Sequence, residues 1–233
     1  MAELLYEGKA KQVYKTDKED EYLIHYKDDA TAGNGVKHDQ FEGKGVLNNT
    51  ISCIIFDMLE EAGIKTHMIK KLNERDILVK KVDIFPLEVI IRNITTGSFC
   101  KRLGAPEGIV LDEPIFELSY KNDDYGDPLI NEDHAVALKL CTREEYNFIK
   151  QETLKINELL KEFFLFLNLK LVDFKIEFGK TPDGQILLAD EISPDSCRLW
   201  DVETNQKYDK DVFRQDIGDL IETYKAVLAR MQK

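Results

Sequence analysis

The residues best suited to do chemistry lie between Leu171 and Asp201, in LVDFKIEFGKTPDGQILLADEISPDSCRLWD. Val172, Phe174, Ile176 and Phe178 alternate there with Asp173, Lys175 and Glu177, a period of two that describes a strand with one apolar and one charged face. Pro182, Asp183 and Gly184 separate it from a second apolar run, Ile186 to Ala189, that ends in Asp190 and Glu191, so a hairpin is expected. A tight Asp-Gly turn would set Glu177 directly across from Asp190. Facing carboxylates repel unless one is protonated or a cation lies between them, and a hard divalent ion such as Mg²⁺, which shares its oxygen ligands with phosphate, suits the pair. A three-residue turn with Gly184 in a bulge would shift the register by one and send the acids to opposite faces; the alternative to a metal site is then a solvated edge hairpin. Beyond the hairpin, Ser193, Pro194, Asp195 and Ser196 lead to Arg198, whose planar guanidinium suits phosphate or carboxylate, beside the single tryptophan, Trp200.

Two further basic clusters could hold anions. Gly8 stands between β-prone runs with Lys9 and Lys11 beside it, and a glycine that lets the backbone approach closely, flanked by lysines, has the logic of a phosphate-covering loop. An ordinary hairpin is the competing reading. In RNITTGSFCKRLG, Arg92, Ser98, Lys101 and Arg102 surround Gly97, as a phosphate grip or as a basic helix start in solvent. None of His25, His38, His67 and His134 has ligand or triad spacing, and no serine sits in a nucleophile elbow. The chemistry must come from carboxylates, a metal and basic groups.

The elements that position these residues follow from pattern. An antiparallel meander is expected at the start, a long polar loop over 28–45, and a helix with Val46, Leu47, Ile51, Ile54, Ile55, Met58 and Leu59 on its buried face, stopping at Gly63. Strands are expected at 67–72, 76–82 and 86–92, with a domain junction near 81–86, and the chain from Glu113 to Asp133 reads as irregular and acidic. Thr142 and Glu145 form a capping box that opens a long helix through Asn168, and a last helix runs from Val212 to Met231 with Phe213, Ile217, Leu220, Ile221, Tyr224 and Leu228 on one side.

The 233 residues are 43% hydrophobic, enough for a core. A net charge of −12 argues against nucleic-acid binding and against an anionic membrane surface, so anionic ligands must be gripped by local Lys and Arg clusters. No signal-like or membrane-spanning run is present, since even FFLFLNLKLV is broken by Asn168 and Lys170, and a cytoplasmic protein is expected. Cys53, Cys100, Cys141 and Cys197 lie far apart without CxxC spacing and read as reduced, mostly buried thiols.

YEGKAKQVY, LVKK followed by VIIRN and TTGS, KNDDYGDP, LVDFKIEFG, DEISPDSCRLWD and DVFRQD, in that order over nearly the whole chain, resemble the SAICAR synthetase (phosphoribosylaminoimidazole-succinocarboxamide synthase) family. The resemblance implies an α+β fold of two domains: a small N-terminal antiparallel β-rich nucleotide-binding domain (1–82) similar to a kinase lobe, and a larger α+β domain (83–233) for substrate and metal. It implies an ATP-dependent ligase of purine biosynthesis that joins L-aspartate to carboxyaminoimidazole ribonucleotide through an acyl phosphate, and a homo-oligomer. By the same resemblance Lys9, Ala10, Lys11 and Val13 line the nucleotide phosphates, and Lys80 and Lys81 border the adenine. Glu177, Asp190 and Glu191 hold Mg²⁺, while Arg92, Ser98, Asp173, Lys175, Arg198 and Arg214 bind the ribonucleotide. Asn122 and Asp123 are candidates for the aspartate pocket, and Lys11, Lys175 and Asp190 are the expected catalytic residues. Asn34 stands where relatives often carry an acid, so it is assigned no role. A protein kinase would share the glycine loop and paired acids but needs HRD and DFG motifs, which are absent. A metal-binding module without catalysis leaves Lys9, Lys11, Arg92 and Arg198 unexplained.

Overall fold

A computed structural model describes residues 3–32 and 36–232, so Asn34 lies outside the described residues. The expected meander forms from β1 (Leu4–Glu7), β2 (Lys11–Lys15) and β3 (Glu21–Tyr26). The expected loop at 28–45 instead contains two strands, β4 (Asp29–Ala32) and β5 (Lys37–Gln40), paired antiparallel. Buried Asp29 ties them together by accepting hydrogen bonds from His38 and Gln40. Helix α1 (Lys44–Glu61) follows, and Gly63 adopts the left-handed conformation (φ 89°) that stops it.

β6 (Met68–Lys71) and β7 (Asp76–Lys80) complete a five-stranded antiparallel sheet in the order β1-β2-β3-β7-β6. A second sheet begins with β8 (Asp83–Ile84) and β9 (Leu87–Ile94). After α2 (Gly97–Leu103) comes β10 (Val110–Tyr120), where the sequence reads as irregular. Its acids misled the pattern because Pro114 lies in a break of register between Val110 and Ile115, beyond which the ladder with β9 is continuous. A short 3-10 turn (Asp123–Tyr125), β11 (Leu129–Ile130) and α3 (Glu132–Ala137) lead to α4 (Arg143–Phe166). Thr142 and Glu145 make the expected capping box of α4.

β12 (Leu169–Lys180) is the hub of this sheet. It pairs with β9 and β8 along one edge, and with β13 (Ile186–Ala189) and β14 (Cys197–Asp201) along the other. The expected last helix is broken into α5 (Asp211–Arg214) and α6 (Leu220–Met231). Asp216 takes a positive φ of 56° between them and Asp219 caps α6, so Ile217 falls in the break and is exposed rather than packed. One apolar cluster joins both sheets, α1 and α4, from Ile24 and Ile77 through Ile55 and Leu59 to Leu118, Ile156 and Phe174. Burying each such side chain contributes on the order of 1.5–3 kcal/mol. Cys53, Cys141 and Cys197 are buried free thiols and Cys100 is partly buried. Among the described residues no helix is long and apolar enough to cross a membrane.

Candidate active site

The site face of the second sheet is written by strand alternation. Glu88, Ile90 and Arg92 of β9 share a face, because alternate residues of a strand point the same way. Antiparallel pairing sets Glu117 of β10 and Lys175 of β12 on either side of Ile90, and Asp173 beside Arg92.

Around Arg92 this register generates a chain of alternating charges. Glu117 accepts from Arg102 Nη2 (2.8 Å) and Arg92 Nε (2.7 Å). Asp173 accepts from Arg92 Nη1 (3.0 Å) and Arg198 Nη1 (2.8 Å), and Asp211 from Arg198 Nε (3.0 Å) and Arg214 Nη1 (2.7 Å). Burial works against charge on Arg198, but Asp173 and Asp211 outweigh it and push the guanidinium above its usual range. Asp211 is opposed by burial too, and Arg198 and Arg214 hold it below the usual carboxylate range. The acids take Nε and Nη1 of Arg92 and of Arg198 and Nη1 of Arg214, and the three arginines line a cavity of about 170 Å³ with Ile90, Ser98 and Lys175. Three arginines and a serine hydroxyl give such a pocket the donors to hold an anion.

Its floor is fixed from behind. Asp195 lines the cavity and accepts from the fully buried Lys44 of α1 and from Tyr224 of α6, with Lys210 at 3.7 Å. Burial raises the Asp195 carboxyl, yet Lys44 and Lys210 outweigh it and hold it well below the usual range. Gly97 is required at the rim: its φ is 57°, and a Cβ there would meet Arg198 Nη2 at 2.7 Å.

Lys175 lines the cavity and reaches away from it, donating to Glu88 (2.5 Å) and standing 3.9 Å from Glu177. There the second cluster begins. Glu177 is buried and takes two hydrogen bonds from Lys121, at 2.6 and 2.8 Å. Lys11, at the start of β2, donates to Asp190 and stands 3.6 Å from Glu191. The expected direct pairing of Glu177 with Asp190 does not occur, because a five-residue turn from Thr181 to Gln185 sets Glu177 against Ala189. The two acids nevertheless share a site. Asp190 lies one residue beyond the paired segment in the left-handed conformation (φ 61°), which breaks the strand alternation that would have sent its carboxylate to the other face. Burial and then the Asp190 charge raise the Glu177 carboxyl, whereas burial of Asp190 is overridden by Lys11 and Lys175, which hold it down to about 2.

The remaining expected site residues divide. Lys9 pairs with Asp123 at 2.9 Å, which brings the glycine loop onto the KNDDYGDP loop. Ala10 accepts from Lys27 through its carbonyl and Val13 pairs with Ile24 within the first sheet. Asn122 spends its side chain on capping the 3-10 turn. Lys80 is exposed at the end of β7, and Lys81 lies over the Tyr22 ring at 5.8 Å. The histidines serve structure: His25 meets Asp76, His38 meets Asp29, and His134 completes the cap of α3. His67 is buried beneath the site and driven down to about 3 by that burial.

Sequence reasoning missed Glu88, Glu117, Lys121, Lys44 and Asp211. Glu88 was legible, since it shares the period-two face of Arg92. Lys44 had no signal, because it meets Asp195 only through packing of distant elements, whereas Asp211 stands three residues before Arg214 in one helix and only its contact with Arg198 depends on packing.

Among the described residues no three His, Cys, Asp or Glu side chains gather at metal-ligand spacing, so Glu177, Asp190 and Glu191 do not form a three-acid cage. Glu177 and Asp190, whose charges act on each other, could hold a shared ion. Mg²⁺ bound with a nucleotide needs only one or two carboxylates, and the buried Oε2 of Glu191 accepts no hydrogen bond.

An α+β fold that sets buried lysine–carboxylate pairs beside an arginine-lined pocket defines an enzyme built for anionic small molecules. The chain belongs to the SAICAR synthetase family, whose model matches residues 4–231, and it is a ligase of purine biosynthesis. A phosphoribosylaminoimidazole-succinocarboxamide synthase of Finegoldia magna is 69% identical over 230 residues, 99% of each chain. The crystal structure of the synthase from Ehrlichia chaffeensis superposes with a TM-score of 0.97 at 45% identity, covering 99% of this chain and 98% of that one. A SAICAR synthetase solved in complex with ADP superposes with a TM-score of 0.94 at 51% identity, covering 97% and 96%.

Proposed function

We propose that the protein uses ATP to join L-aspartate to the carboxylate of carboxyaminoimidazole ribonucleotide, with residues 1–82 covering the nucleotide and residues 83–233 supplying the ribonucleotide and metal sites. The observation that carries this reading is Lys175, which lines the arginine pocket and also faces the carboxylates beside Lys11. A ribonucleotide whose phosphate lies against Arg92, Ser98, Arg198 and Arg214 would extend its base toward that cluster. The ADP-bound relative, half identical to this chain, supports ATP as the nucleotide.

A carboxylate resists attack by an amine until one of its oxygens becomes a leaving group. Transfer of the ATP γ-phosphoryl group to that oxygen breaks the bond to ADP and gives an acyl phosphate. The neutral amine of aspartate then attacks the carbonyl carbon, phosphate leaves with the oxygen, and the nitrogen gives up one proton and keeps the other as the amide forms. Positioning and charge neutralisation dominate phosphoryl transfer. Lys11, kept cationic by Asp190 and Glu191 against its burial, is placed to neutralise transferring phosphoryl oxygens, and Lys9 closes over them. Lys175, held by Glu88, would orient the substrate carboxylate. Glu177 and Asp190 would hold Mg²⁺, with Glu191 beside them, and the ion would neutralise charge on the nucleotide phosphates.

The test is ADP release from ATP and Mg²⁺ with the ribonucleotide, with and without L-aspartate, for the wild type and for Glu177→Gln and Asp190→Asn. Release that requires the ribonucleotide and falls at least about 100-fold in both variants is expected, since removing a single preorganised charge-stabilising group costs that much. ADP formed equally well without the ribonucleotide, or full activity in the variants, refutes the assignment.

A further inference from the structure

We propose that Arg102 and Glu117, neither of which lines the cavity, are positioning residues that commit the Ser98 hydroxyl to donating into the pocket, and so make this subsite selective for a phosphomonoester over the corresponding free hydroxyl. The inference rests on the ribonucleotide reading above and names what sets its specificity. A serine hydroxyl carries one proton and two acceptor lone pairs. In Ser98 Oγ both lone pairs are engaged: Arg92 Nη2 donates at 3.2 Å, and Arg102 Nη1, one turn further along α2, donates at 3.3 Å. A guanidinium has no acceptor, so neither arginine can take the serine proton. That proton is left for whatever occupies the cavity.

Glu117 imposes the arrangement. Its two oxygens are divided between the two arginines, Oε2 to Arg92 Nε and Oε1 to Arg102 Nη2, which fixes both guanidinium planes while leaving one nitrogen of each for Ser98. The side chain of Glu117 is 12% exposed, and no other hydrogen bond draws on it among the described residues. A phosphate oxygen accepts without offering a proton, and its charge makes such a bond roughly twice as strong as a neutral one. A sugar hydroxyl in the same place gains only the neutral bond. Without Arg102, Ser98 recovers a free lone pair, its proton can turn away, and the preference for phosphate weakens.

The experiment is a double-mutant cycle with Ser98→Ala and Arg102→Gln, together with Glu117→Gln, read by calorimetric Kd for the ribonucleotide and for its dephosphorylated nucleoside, with KM for ATP and kcat measured alongside. Arg102→Gln and Glu117→Gln should each weaken ribonucleotide binding about tenfold, leave nucleoside binding within about twofold, and leave kcat and the KM for ATP unchanged. In the Ser98→Ala background, Arg102→Gln should have no further effect, because it acts through the hydroxyl. Additive losses would show that Arg102 contacts the phosphate itself and overturn the inference, as would an unchanged Kd in Arg102→Gln. A parallel fall in kcat and in ATP affinity would reveal a merely structural role and overturn it too. Failure of the wild type to bind the ribonucleotide would instead overturn the functional reading, and this inference with it.

Discussion

Replacing Gly97 by alanine separates backbone strain from damage to the pocket. Gly97 has a φ of 57°, where an L residue costs roughly 1–2 kcal/mol, so Gly97→Ala should lower Tm by about 2–8 °C in a chain of this size. The added Cβ would also lie 2.7 Å from Arg198 Nη2 and 2.9 Å from its Cζ, and ordinary contact begins at 3.4 Å. The guanidinium must therefore move by about 0.7 Å, although Asp173 holds its Nη1 at 2.8 Å and Asp211 its Nε at 3.0 Å. Losing one charge-assisted hydrogen bond, worth about 1.5–3 kcal/mol, would weaken ribonucleotide binding about 10- to 100-fold. Gly104 supplies the control, since its φ is 67° and a Cβ there meets nothing within 4 Å. Gly104→Ala should show the same loss of Tm with an unchanged KM for the ribonucleotide. Steady-state KM values and thermal melts of the two variants suffice. Equal KM values would refute the account of Gly97 as a space left for Arg198.

Two predictions concern stability. Burial, and then the Asp211 charge, push the Asp209 carboxyl up to about 7 from its usual 3.8. Between those values the folded protein holds a proton that the unfolded chain has released, so this group's contribution to stability declines as pH rises across the window, by up to about 4 kcal/mol. Chemical denaturation of Asp209→Asn and wild type at pH 4, 5.5 and 7 should show the variant gaining on the wild type as pH rises; a constant difference would count against the raised value. Lys44→Met removes a fully buried ammonium and leaves the buried Asp195 carboxylate, among the described residues, with Lys210 and Tyr224. A loss of about 3–5 kcal/mol is expected, seen as a fall in Tm of more than about 6 °C, and a change of under 1 °C would show that the pair contributes nothing.

The sequence by itself determined the elements whose residues speak to their near neighbours. Alternation marked β12 as a strand with a charged face, the spacing from Ile51 to Leu59 marked α1, and Thr142 with Glu145 marked where α4 begins. These signals survive in one dimension because strand period, helix period and capping are local interactions. Ordered motifs along the chain also carried the family, and with it Arg92, Ser98, Asp173, Lys175, Arg198 and Arg214, which the structure gathers on one cavity. Local polarity misled at β4 and β5, a polar pair of strands bonded to each other, and at β10, whose acidic stretch is completed as a strand by β9. It misled again at Ile217, which suits a helix face but falls where the chain turns.

Only the tertiary structure decided the carboxylate geometry. The turn from Thr181 to Gln185 shifted the hairpin register by one, which from the sequence should have parted Glu177 and Asp190; the left-handed φ of Asp190 brings their charges back together. Tertiary structure alone also chose the partners of the buried charges, Lys121 for Glu177, Glu88 for Lys175 and Lys44 for Asp195. The reason is physical. A buried charge can select any opposite charge within a few ångströms, and which one stands there depends on how distant strands and helices pack, not on spacing along the chain.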